Sequence, residues 1–252
     1  MKTIARALRA ELLKSRRTLG TWLVFLAPLV LGFLELVAGY QYGERMYRDP
    51  DEAWIILADH TLMMWFLLLL PLFITLQMGL LGALEHNNKT WKQLYALPLP
   101  RWGVYAAKQI IGLVQIGLST VLLVGVIYLV GQLIHIGNPE LGFANPIPWS
   151  KIICEALLGY LASWLIIAIH LWVSLHFSSF VLAMGSGIAA TVAGILVISS
   201  EKAQFYPWTM PGLAGMNYAQ SDPYLVPVIL GLAGGILVSL LGGWETARND
   251  VL

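Results

Sequence analysis

Six stretches of the chain, at about residues 20–40, 54–84, 102–136, 152–177, 180–199 and 224–244, are each long and apolar enough to cross a bilayer. A span needs about 18–20 such residues, and hydrocarbon offers no partner to an open N–H or C=O, so each stretch is expected to be a helix. The chain of 252 residues has room for little else, and its 58% hydrophobic and 12% charged composition excludes a soluble domain. The expected fold is all-α: one polytopic membrane domain over residues 1–252 with six transmembrane helices. A formal charge of +1 supplies no field for nucleic acid, and a lone cysteine, Cys154, excludes an internal disulfide.

The basic residues orient this bundle. Lys2, Arg6, Arg9, Lys14, Arg16 and Arg17 precede span 1, Lys89, Lys92, Arg101 and Lys108 lie around the connection of spans 2 and 3, and Arg248 follows span 6. Six crossings put these eleven on one side and only Arg45, Arg48, Lys151 and Lys202 on the other. The excess marks the cytoplasmic face, so both termini are expected there. Residues 1–18 read as an interfacial amphipathic helix rather than a cleaved signal, with Ile4, Ala5, Leu8 and Leu12 on one face and the cations opposite.

Polar residues in the spans are few. Asp59, His60, His135, Lys151 and Glu155 sit near span ends, and Lys151 and Glu155 can pair at a spacing of four. Glu35 and His170 lie deeper and are the candidates for a pathway role, with Ser174 on the same helix face as His170. No metal-binding motif, intramembrane-protease signature or nucleophile elbow occurs, and Ser163 stands two turns from His170, too far to be activated by it. The absence of a GxxxxGK[ST] loop means that any ATP drive comes from a partner. A secondary transporter or channel is the alternative reading, and an intramembrane enzyme the third.

Gly231, Gly235, Ser239 and Gly243 recur every four residues in span 6, a smooth row expected to pack closely on another helix. Residues 85–101, between spans 2 and 3, hold the strongest functional signal. Trp91, Leu94 and Tyr95 fall at i, i+3 and i+4, giving a short helix with an aromatic face, while Glu85 and Lys89 stand four apart and Leu97-Pro98-Leu99-Pro100 ends the element. Such a face, rimmed by lysines, suits docking to a cytosolic protein.

The order Glu85, Thr90-Trp91, Leu97-Pro98, Arg101, Lys108, the basic amphipathic start, and Phe205-Tyr206-Pro207-Trp208 with Pro211 before span 6 resemble the permeases of ABC-2 type exporters, particularly the lantibiotic-immunity and bacitracin-resistance branch. The resemblance implies a coupling helix within 85–101, re-entrant helices on the extracellular side within 200–223, two cytosolic ATPase subunits that bind ATP and Mg, and a second permease chain, the same or related. It implies export of a hydrophobic or amphipathic substrate, such as an antimicrobial peptide or drug, from a bacterial cytoplasmic membrane. No cofactor is expected in this chain, which is then not itself an enzyme.

Overall fold

A computed structural model of the chain describes residues 2–87, 100–216 and 225–248. Among these residues the fold is entirely helical, with six helices long and apolar enough to span a membrane. An N-terminal helix, Lys2–Ser15, precedes span 1, Leu19–Met46. Span 2 runs from Ala53 to Asn87, span 3 is Arg101–Gly137, span 4 runs from Trp149 to His176, span 5 is Phe180–Val197 and span 6 is Leu225–Arg248. The N-terminal helix and the two ends joined by residues 88–99 share one end of the bundle, called here the near end. The loops after spans 1, 3 and 5 mark the far end.

Span 2 is the hub. Inside the bundle lie 56% of its most apolar window but only 22% of that of span 5, so span 5 presents most of its surface outward. Span 3 packs on spans 1 and 6, and span 2 on spans 4 and 5. Buried Trp65, Phe66, Leu70, Ile74 and Met78 of span 2 meet Ile111, Ile116 and Leu123 of span 3 and Ile166, Ile167 and Leu171 of span 4 in one continuous core.

Two irregularities shape this hub. Span 2 is α-helical over Ala53–Met64, widens into a π-helical turn at Trp65–Leu69, and resumes over Leu70–Asn87. Pro71 explains the turn: it has no N–H for the helical ladder, and its ring crowds the carbonyl of residue 67, a conflict that the wider turn relieves. The turn carries Phe66 against Gly159 of span 4 and Gly215 of a short helix, Met210–Met216, while Leu67 presses on Gly212 of that helix. A Cβ at Gly212 would stand 2.2 Å from Leu67 Cδ2, so a side chain there would push Leu67 aside.

Span 4 is interrupted at Ser163, between Trp149–Ala162 and Trp164–His176, where the Ser163 N–H is shared by the carbonyls of Gly159 and Tyr160. Spans 4 and 5 then turn tightly through Phe177 to Ser179, and the Ser179 hydroxyl caps span 5 by accepting from the Leu182 N–H. At the far end two loops interlock. The Trp54 indole donates to the carbonyls of Phe143 and Asn145, and Gly142, at φ 91°, lets the Pro50 carbonyl approach where a side chain would clash.

The N-terminal helix docks on span 3 by a different row from the one expected to rest on the membrane. Ala7, Glu11 and Ser15, not Ala5 and Leu12, are buried, and this row lies on span 3, whereas Leu12 and Leu13 are exposed. Leu8 is only half-buried against the core. The reason is Glu11: its carboxylate finds a cation on span 3, and pairing turns that face toward protein and leaves leucines outward.

Candidate functional site

The expected coupling residues Lys89, Trp91, Leu94 and Tyr95 lie outside the described residues, and Glu85 falls on the last turn of span 2. The surroundings of that segment are defined. It leaves span 2 at Asn87 and re-enters at Pro100, directly before span 3. Two turns into span 3, Lys108 is wholly buried and donates from Nζ to Glu11 Oε2 at 2.5 Å, while Lys14 reaches Glu11 Oε1 at 2.8 Å. One carboxylate thus ties the N-terminal helix to span 3. Deeper, Gln77 of span 2 donates to Gln115 of span 3 at 2.7 Å, and Gly20 of span 1 leaves room for the Gln77 amide.

The elbow into span 1 is built locally. The Ser15 carbonyl accepts from the hydroxyls of Thr18 at 2.7 Å and Thr21 at 2.6 Å, and Arg17 takes a left-handed conformation with φ 63°. A non-glycine residue there carries strain that the two hydroxyl bonds and the docked helix hold in place.

The two candidate pathway residues do not meet. Glu35 is buried in span 1 and its carboxylate lies 2.9 and 3.0 Å from Nδ1 of His60 in span 2. His170 is buried in span 4, with Nε2 at 3.2 Å from the Thr75 hydroxyl of span 2, and its ring stands edge-on to Trp208. His60 and Thr75 are separated by fifteen residues of span 2, about 22 Å along a helix axis. Ser174 donates to the Leu171 carbonyl of its own helix at 2.9 Å. Lys151 of span 4 bridges Glu155, at 3.0 Å, and Asp59 of span 2. Glu35, Asp59, Lys151 and Glu155 thereby each meet an ionisable partner on another span or turn, the arrangement that makes intramembrane charge tolerable. Beyond span 5, Tyr206 donates to the Ala190 carbonyl at 2.8 Å, and burial pushes its hydroxyl pKa up.

The small-residue row of span 6 divides. A Cβ on Gly231 would stand 2.3 Å from the Ala162 carbonyl oxygen and one on Gly235 2.8 Å from the Trp164 carbonyl carbon, so both press on the interruption of span 4. Ser239 and Gly243 instead border an open groove, and Gly242 replaces Gly243 at the tight contact, beneath the Tyr105 ring of span 3. Residues four apart drift by about 40° per step on a 3.6-residue helix, so the row rotates away from span 4 as it descends.

Residues 7–197, from the N-terminal helix through span 5, match the model of the ABC-2 family transporter proteins. The chain belongs to the ABC-2 transporter family. No curated protein matches it. As an ABC-2 protein it is a multi-pass membrane component of a transporter rather than a nucleotide-binding enzyme.

Two features of this ABC-2 protein escaped sequence reasoning. Glu11 was not singled out, although an acid among the cations of the first helix, about two turns from the elbow, is a signal for a pair. Glu35 and His60 were each visible, but not as partners. Their joint depth, a few turns either side of the short loop 47–52, is what a helical hairpin brings to one level.

Proposed function

We propose that this chain is the permease subunit of an ATP-driven exporter, energised by two separate cytosolic ATPase subunits that bind ATP and Mg. Residues 85–101 act as the coupling segment, with Trp91, Leu94 and Tyr95 as the docking face and Glu85 and Lys89 holding it to the end of span 2. The observation that carries this reading is where the segment is anchored. It joins span 2, the most buried span, to span 3, and span 3 is locked to the N-terminal helix through Glu11 and Lys108. A push on the segment therefore moves the hub and the surface helix together.

The near end is cytoplasmic, by the eleven-to-four partition of basic residues, and the membrane is a bacterial cytoplasmic membrane. The re-entrant element expected within 200–223, of which residues 217–223 lie outside the described residues, enters from the outer side. Its support is the depth of the Met210–Met216 helix, which touches Phe66 and Leu67, thirteen and more residues along span 2 from Ala53. A second permease chain, the same or related, completes the pathway. The order of motifs favours the lantibiotic-immunity and bacitracin-resistance branch, and with it an amphipathic peptide or drug as substrate.

The test is the pair Trp91→Ala with Tyr95→Ala. A buried aromatic anchor commonly costs 2 kcal/mol or more on truncation, roughly thirtyfold in affinity. The double variant should insert and fold but bind its ATPase poorly and fail to link hydrolysis to export; undiminished binding and substrate-stimulated hydrolysis would reject the assignment. Cysteines at positions 138 and 204 should label from outside the cell, and labelling of either only from the cytoplasm would reject the orientation.

A further inference from the structure

Where the small-residue row turns away from span 4, it opens a groove of about 530 Å³ between spans 3 and 6. Trp102, Ile110 and Leu113 form one wall, Ile236, Leu240 and Trp244 the other, and Trp164 closes the inner end. From Trp102 to Leu113 the groove follows eleven residues of span 3, about 16 Å, close to the half-thickness of about 15 Å of a bilayer's hydrocarbon. Its length and lining match one leaflet, and it faces outward, where lipid is the surrounding solvent.

An apolar slot alone would accept any chain, but this one carries polar instructions. Gln109, more than nine-tenths buried on the groove wall, has a side-chain oxygen, Oε1, without a hydrogen-bond partner among the described residues. Burying such an atom unpaired is costly, so a ligand that satisfies it gains affinity. At the mouth the Arg248 guanidinium lies over the Trp244 ring, 4.1 Å from its centroid, and engages no carboxylate among the described residues. Glu245, one turn before Arg248, accepts from the Trp172 indole at 2.6 Å and meets His176 at 3.3 Å.

We propose that the groove between spans 3 and 6 binds one anionic phospholipid of the near-end leaflet. One acyl chain lies along Ile110, Leu113, Ile236 and Leu240, the ester and glycerol region meets Gln109, and the phosphate meets Arg248. The cation at the mouth decides for an anionic lipid over a neutral one, the graded polarity decides for a lipid over a helix of a second copy, and the depth decides for one leaflet. The bound lipid fills the gap that the rotation of the span 6 row leaves, and so ties the near end of span 6 to span 3.

The full chain, reconstituted in phosphatidylcholine vesicles doped with phosphatidylglycerol bearing a photoreactive acyl chain, tests this. Crosslinks should concentrate on residues 102–113 and 235–247 and be competed by unlabelled phosphatidylglycerol. Arg248→Gln, an exposed change with little effect on folding, should lower the preference for the anionic lipid roughly fivefold, as expected for one basic group near an anionic headgroup. Ser239→Phe should fill the groove and abolish the crosslinks, with thermal unfolding of the reconstituted variant checking that the bundle persists. Even crosslinking over all outward-facing spans would overturn the proposal, as would an unchanged preference in Arg248→Gln. So would a photoreactive residue at position 236 that captures a second copy or the chain's own residues 88–99.

Discussion

Removing the Lys108 ammonium should release the N-terminal helix while leaving the six spans inserted. In Lys108→Met the stem is replaced by a side chain of similar length, and the carboxylate of Glu11, 3% exposed, loses a donor at 2.5 Å. Breaking a buried pair from one side usually costs about 3–5 kcal/mol, since the remaining charge is left in a poor environment. Lys14 still reaches Glu11 at 2.8 Å and is a third exposed, so the cost should fall at the low end, about 3 kcal/mol. That is roughly two decades in the docking equilibrium of the helix. Trypsin reports it directly, because Arg9, Lys14 and Arg16 are cleavable only when the helix lifts from span 3. In liposomes that expose the near end, Lys108→Met should be cut at these positions far faster than wild type. The double variant Glu11→Leu with Lys108→Met removes both charges and should recover much of the protection. Wild-type cleavage rates in the single variant would refute the idea that this pair holds the helix, and a double variant no better protected than the single would show that shape rather than charge fixes the contact.

Gly231→Leu should destabilise the bundle by more than the 1–3 kcal/mol usual for overpacking, because its Cβ meets backbone that cannot rotate away, whereas Gly185→Leu, with nothing within 4 Å, should be nearly silent; thermal unfolding in detergent distinguishes them. Phe66→Ala should cost about 3–5 kcal/mol and loosen the Met210–Met216 helix, read as faster hydrogen exchange of that segment than of span 3. Arg17→Gly should be neutral or stabilising, since glycine takes a positive φ without strain, and a clear drop in melting temperature would disprove the strained elbow.

The spans were legible because hydrophobic length is a property of the sequence alone. Their ends fall where the chain meets proline or charge: Pro100 before Arg101, Pro148 before Trp149, Arg248 at the close of span 6. The tight turn between spans 4 and 5 was readable from His176 to Ser179 for the same reason. The family was legible too, through an order of short motifs that survives without any knowledge of contacts. The coupling segment was likewise argued from an aromatic spacing, and its anchors, though not its own residues, are what the structure adds.

Which face of each helix meets protein was not legible. In the N-terminal helix the row Ile4, Ala5, Leu8 and Leu12 was read as the side that rests on the membrane, and the row that docks on protein was not read at all. Beside a membrane apolar side chains are welcome on either side, so polarity marks the protein-facing side wherever a partner exists. Glu11 therefore lies inside and Leu12 outside. The same ambiguity concealed Glu35 with His60, and Lys151 with Asp59, whereas Lys151 with Glu155 was readable from their spacing of four. The row of small residues in span 6 announced close packing but not where it would stop, because a spacing of four rotates around the helix and only the neighbouring span determines when contact is lost. Sequence by itself determined how many times the chain crosses and where each crossing ends, since those follow from transfer between water and hydrocarbon. Rotation, partner and depth were decided by the tertiary structure, since in hydrocarbon those depend on which polar groups find one another and on which backbones come close enough to touch.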